Sequence, residues 1–304
     1  MADERESRQY RRAKAEHPLD DEDDDGKPPS DEDVDPDGDL SEEEKKKVME
    51  HQPPRAQVLH EVIRLQGDHE LARSIGALWW SALAAGLSIG LSMMVLGLLK
   101  SIAGDHPFAT AIYALGYPVG FLAIILARQQ LFTENTLTAV LPVMSEPTAA
   151  MALKLLKLWL VVLAGNMVGA MLFAFAALEL PIFDTRTDEA FLEIGREIMH
   201  QDAYMMFAKA IVSGWMIATM VWLIPAAEGA KIWIIGIITY SMALGSFTHI
   251  VVGTAEVSYL VFAGELSWSQ FWWPFALPTL AGNIVGGSLI FAIISHAQIR
   301  SEVP

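Results

Sequence analysis

The chain has 304 residues, 52% of them hydrophobic, with a formal net charge of −16 and no cysteine. The missing thiols exclude disulfides, cysteine-ligated zinc, iron–sulfur clusters and thiol nucleophiles. Residues 1 to 70 hold 23 acidic against 11 basic side chains and the remaining residues 14 against 10, so the acidity belongs to one end of the chain.

In chain order, residues 1–52 carry the acidic run Asp20 to Asp25, Pro28, Pro29 and Pro36, with little to bury. Such a segment cannot offset its ordering entropy and is expected to be a disordered acidic tail. Its first 30 residues contain no apolar signal core, so no cleaved leader is expected. Residues 53–72 place Val58, Val62, Ile63 and Leu65 at helical spacing among charges, the pattern of an amphipathic, membrane-proximal helix.

Residues 73–297 form the expected membrane domain, and residues 298–304 a short C-terminal tail. Apolar stretches of about 20 residues, the length needed to cross the hydrocarbon, place six spans near 74–99, 108–143, 150–178, 205–226, 231–262 and 271–295. The chain is therefore read as an all-α membrane protein with six transmembrane helices. The second and fifth spans are too long for one helix. Each also holds polar groups near its middle, with Arg128, Thr133, Glu134 and Asn135 in one and Thr248 and His249 in the other. Both are expected to be broken helices. Lysines and arginines cluster on the flanks that the two termini share, which favours both termini inside.

Two strings nearly repeat, LAGNMVGA at Leu163 to Ala170 and LAGNIVGG at Leu280 to Gly287, 117 residues apart. At an offset of 115 the two breaks align, pairing Phe132 with Phe247, Thr133 with Thr248 and Glu134 with His249. Three crossings per half make this an inverted 3+3 repeat. Broken helices at matching positions of such repeats point to a transport site near the bilayer midplane. Gly165, Asn166 and Gly169, with Gly282, Asn283 and Gly286, are the helix-packing residues of the repeat, since small residues let helices approach closely.

Few ionisable groups lie inside the spans, and each is a functional candidate. His249 is the mid-span histidine, able to donate a hydrogen bond or a proton to a passing weak acid. With Thr133, Thr248, Glu134 and Asn135 it makes the expected pore centre. Arg128 and Glu134 either pair with one another or face the pore, where Glu134 would reach the His249 region. Arg128 and Lys209 are candidates for anion attraction. Glu256, seven residues beyond His249, belongs at the pore mouth or among headgroups. HExxH and phosphate-loop motifs are missing, so no enzyme is expected. No cofactor, metal or nucleic acid is expected either.

These residues together resemble the formate/nitrite transporter family. The resemblance rests on Leu131-Phe132-Thr133 with Asn135-Thr136, Gly165-Asn166 with Gly169, Phe247 with His249, and Gly282-Asn283 with Gly286. It implies an aquaporin-like protomer with its own pore, a homopentamer in the bacterial inner membrane, and apolar constrictions around a central histidine. Tyr117, Phe121 and Met242 match the constrictions, and Thr133 the threonine beside the histidine. The small solute it implies is a monovalent weak-acid anion such as formate or nitrite. The chain departs from the family's Glu-His-Ser with Thr248-His249-Ile250, has Gly253 and Gly214 where the family carries asparagines, and Ile198 near the family's outer lysine. A divergent branch is implied. A pore for a neutral or cationic solute, or a membrane scaffold using the acidic tail, are the other readings.

Overall fold

The computed structural model describes residues 54–104 and 106–302; the expected disordered tail lies outside the described residues. Ten helical elements follow in order. They are α1 (Ala56–Ala72), α2 (Ile75–Ala103), α3 (Ala109–Leu126), α4 (Val140–Ser145), α5 (Ala149–Glu179), α6 (Thr185–Met199), α7 (Ala203–Ala226), α8 (Lys231–Leu244), α9 (Ile250–Phe262) and α10 (Trp268–Ser301). Among the described residues α2, α3, α5, α7 and α10 are long and apolar enough to cross a membrane, and α8 and α9 are shorter apolar helices.

Starts are fixed by side chains that accept otherwise orphaned backbone N–H groups. Ser74 caps α2, Thr148 caps α5, Asp184 caps α6 and Asp202 caps α7. Helix α6 was not expected from the sequence. Its polar surface interrupts the apolar run, yet Ala190, Phe191, Ile194 and Gly195 form one buried stripe at helical spacing. Phe191 sits over Gly97 of α2, where even a Cβ would meet the ring at 2.2 Å.

Both over-long spans are interrupted. Helix α3 ends at Leu126 and regular helix resumes only at Val140, while α8 and α9 are separated by residues 245–249. The two interruptions begin with the same turn. Among the described residues Arg128 (φ 54°) and Ser246 (φ 49°) are the non-glycine residues with left-handed backbone. Directly after them, Gln129 N–H reaches back to Ile124 O and Phe247 N–H to Met242 O, at 2.9 and 3.0 Å. That six-to-one bond ends a helix once the chain enters the left-handed region.

Beneath each turn an asparagine takes over the backbone. Asn166 on α5 accepts from Phe132 N–H and donates to Ala82 O and Gln130 O, each at 2.8 Å. Asn283 on α10 accepts from Ile250 N–H at 2.9 Å and donates to Ala210 O at 2.9 Å and Thr248 O at 3.3 Å. Glycines make room for this. A Cβ on Gly86 would lie 2.2 Å from Asn166 O and one on Gly214 2.4 Å from Asn283 O, while Gly169 and Gly286 face Leu83 O and Ile211 O as closely.

These contacts correct the alignment of the two breaks. Phe132 matches Ile250, Gln130 matches Thr248 and Arg128 matches Ser246, an offset of 118 rather than the 115 read from the Phe-Thr strings. His249 therefore corresponds to Leu131 and not to Glu134. Letter matches between short polar strings do not see which backbone group an asparagine must satisfy.

Helix α1 has the expected position but a different inner face. Leu59, His60, Ile63 and Gly67 are buried, whereas Val58, Val62 and Leu65 are exposed. Gly67 lies on the carbonyl of Thr138 and the ring of Pro142, and Glu70 accepts from Gln130 Nε2 at 2.8 Å. Two turns earlier on that buried face His60 Nε2 and His296 Nδ1 of α10 share a hydrogen bond of 3.2 Å, with Trp222 edge-on to His60. Burial, then the neighbouring His296, holds His60 below its ordinary value of 6.5.

A depressed histidine favours the neutral form in the docked state, so the separated state binds more protons on acidification. Docking of α1 is then strongest above pH 6.5 and weakens as pH falls below it; the protection of Leu59 to Gly67 against hydrogen exchange, taken relative to the intrinsic amide rate at each pH, is expected to fall on acidification and to lose that dependence in His60→Gln. For the asparagines, Asn166→Leu leaves Phe132 N–H, Gln130 O and Ala82 O without their partner. With about 1–3 kcal/mol per buried orphaned group, detergent-solubilised protein is expected to lose about 3 kcal/mol or more in thermal unfolding, against a negligible change for exposed Leu160→Met.

Candidate functional site

The two interruptions meet at one contact. Thr133 Oγ1 and His249 Nε2 are 2.8 Å apart, both buried, the first from residues 127–139 and the second from the end of 245–249. His249 has extended backbone (φ −130°, ψ 129°) and is the N-cap of α9. Its Nδ1 accepts from Val252 N–H at 3.3 Å.

That cap assigns the imidazole. A nitrogen that accepts a backbone N–H carries no proton, so the neutral ring bears its hydrogen on Nε2 and donates it to Thr133 Oγ1. The Thr133 hydroxyl is thereby left with its own hydrogen to donate elsewhere. Phe121 stands edge-on to the imidazole with ring centroids 5.3 Å apart, and Tyr117 lies 5.4 Å from Phe121.

One side of this contact opens into a cavity of about 320 Å³. Tyr117, Met242, Thr248 and His249 line its deep end, so four of the eight expected constriction and centre residues share it. Phe121 adjoins them through His249. Further out the walls carry Lys209, Gln201, Glu197 and Ile198. Lys209 is thus the cation at the cavity that the sequence picked out for anion attraction.

Three other candidates stand elsewhere. Arg128 is exposed and holds the left-handed turn, and Glu134 is half-buried in the first interruption. Among the described residues the two form no ion pair, and Glu134 makes no bond to His249; Thr133 makes it instead. Asn135 is buried but turned to the backbone, donating to Gln130 Oε1 and Leu131 O while its carbonyl accepts from Trp159 Nε1. Thr248 also serves the backbone, donating from Oγ1 to Met206 O at 2.8 Å.

The departures from the family pattern have steric causes. At Gly253 a Cβ would meet the ring of Phe275 at 2.7 Å, and both residues line the cavity. An asparagine there would have to displace the ring. Gly214 cannot carry a side chain while Asn283 lies against it. Phe275 and Gln201 were missed in the sequence, one because it follows an irregular stretch at Trp273 (φ −140°, ψ 119°) of α10, the other because a lone glutamine near a helix end carries no periodic signal.

The family model described as formate/nitrite transporter matches residues 57–297. The inner membrane protein YfdC of Escherichia coli (strain K12) is 53% identical over 251 residues, covering 83% of this chain and 81% of that protein. The uncharacterized transporter YrhG of Bacillus subtilis (strain 168) is 29% identical over 232 residues, covering 70% and 85%. Among solved structures, a pentameric formate channel with formate bound superposes with a TM-score of 0.67 at 19% identity, covering 75% of this chain and 98% of that one. An ion channel of the same family superposes with a TM-score of 0.62. These likenesses carry the fold.

The tautomer has a direct readout. In histidine-15N-labelled protein, the signal lost in His249→Asn is expected to report a protonated Nε2 and a bare Nδ1, and Thr133→Val, which removes the acceptor, is expected to shift that Nε2 resonance. A protonated Nδ1 in the wild type would contradict the cap.

Proposed function

Because this chain belongs to the formate/nitrite transporter family, we propose that it carries a small monovalent weak-acid anion, formate or nitrite being the first candidates, across the bacterial inner membrane. The observation that carries this reading is the Thr133–His249 contact at the meeting point of two interrupted helices, at the foot of a cavity. Interrupted backbone inside a membrane is tolerated where it lines a pathway.

In this reading the six crossings are α2, α3, α5, α7, the α8–α9 pair and α10. They form an inverted repeat, an arrangement supported by the matching asparagine bonds and left-handed turns at an offset of 118. Both termini face the cytoplasm, in line with the basic flanks, which turns the Lys209 cavity outward. Five protomers assemble, as the pentameric formate channel does, each with its own pore. The chain acts as a carrier and not as an enzyme.

Lys209 draws the anion into the cavity. Tyr117, Phe121 and Met242 then strip its water, which favours passage as the neutral acid, since charge in an apolar constriction is costly. At the centre the permeant meets a donor instead of a charge: His249 holds its Nε2–H on Thr133, and the Thr133 hydroxyl offers its hydrogen to a passing oxygen. A neutral or cationic solute is the second reading, favoured by the unpartnered Gln201 Oε1 at the cavity wall, an acceptor that suits a hydrogen-bond donor.

Purified protein in liposomes is expected to admit formate or nitrite faster than empty vesicles, with His249→Asn and Thr133→Val each altering the rate and the conservative Thr133→Ser retaining most of it. Wild-type vesicles that pass ammonium but neither anion would select the second reading. Flux of every solute at the empty-vesicle rate would remove transport altogether.

A further inference from the structure

Glu256 is a buried carboxyl, 5% exposed, two turns along α9 from His249, and it lines the same cavity. Its backbone lies under α6, where a Cβ on Gly195 would meet Glu256 O at 2.8 Å, so the residue is held in place by close helix packing. Among the described residues its carboxyl makes no hydrogen bond and no ion pair. The cavity supplies the other groups that face it: Tyr113 and Tyr117 from α3, Glu197 from α6, Lys209 from α7 and His249 from its own element. Glu197 is engaged by Lys100 at 2.6 Å, which leaves Lys209 as the cation with no such partner on the cavity wall among the described residues.

An acid placed like this is not a structural ion pair. A carboxylate without a partner at such depth is costly, and it would repel any anion that Lys209 attracts into the same 320 Å³. The carboxyl form is the one compatible with an anion sharing the cavity. A carboxyl beside a weak-acid anion can also do what the central imidazole, with Nε2–H held on Thr133 and Nδ1 on a backbone N–H, is poorly arranged to do.

Resting on the transport reading above, we propose that Glu256 is the proton-exchanging group of the outer cavity, handing its proton to the incoming anion before the constriction. The Glu256 O–H bond breaks, its electron pair stays on the carboxylate, and an O–H bond forms on the oxygen of the solute. The neutral acid passes Tyr117, Phe121 and Met242 toward His249. The carboxylate, facing Lys209 across the cavity, regains a proton from water at the mouth.

The test compares wild type, Glu256→Gln and Glu256→Asp in liposomes, with formate as the probe and uptake measured across external pH. Glu256→Gln keeps the shape of the side chain and is first checked to elute as the wild-type assembly. Its uptake near neutral pH is expected to fall by about tenfold, less than positioned proton transfer usually contributes because bulk protonation persists. The loss is expected to shrink as the medium is acidified, while Glu256→Asp retains the wild-type pH profile. Wild-type flux with an unchanged profile in Glu256→Gln would overturn the role of Glu256 and leave transport standing. A uniform loss at every pH would also overturn it, since that is the signature of altered packing. Formate and nitrite flux both missing from the wild type would remove the anion-transport reading and the role of Glu256 with it.

Discussion

Backbone that leaves a helix inside hydrocarbon must find new partners for its N–H and C=O groups, and Asn166 and Asn283 are the devices that supply them. Each amide accepts one N–H and donates to a carbonyl on a neighbouring helix and to one in the interruption, and Asn283 also donates to Ser213 Oγ. The close approach of α2 to α5 and of α7 to α10 follows from the same requirement. An amide reaches both backbones only if the helices nearly touch, and Gly86, Gly169, Gly214 and Gly286 remove the atoms that would keep them apart.

The chemistry of the centre depends on that scaffold. Ending α8 at Leu244 and restarting at Ile250 leaves His249 in extended backbone as the cap of α9, so a structural duty, accepting Val252 N–H, decides which ring nitrogen faces Thr133. The imidazole is oriented by helix formation itself. Thr133 reaches it because Phe132 N–H is pinned by Asn166 one residue earlier.

The cavity above this contact is not a copy of the family pattern with pieces missing. Phe275 takes the space beside Gly253, the Asn283 backbone takes the space beside Gly214, and the cation on the wall comes from Lys209 of α7 while Ile198 of α6 contributes an apolar surface. Glu256 adds an acid to that wall.

Much of this was legible in the sequence. Apolar length located the long apolar helices, excess length with polar interruptions located both breaks, the repeated Leu-Ala-Gly-Asn strings marked the two helices that brace them, and the mid-span histidine stood beside a break. Hydrophobicity and repetition are properties of local segments, so a single chain can display them. Three things depended on tertiary structure: the register between the breaks, the buried face of α1, and the cavity that unites Glu256, Gln201, Phe275 and Lys209. Each is a contact between segments far apart in sequence, set by where helices must approach to satisfy buried backbone, and no window along one strand of residues carries that information.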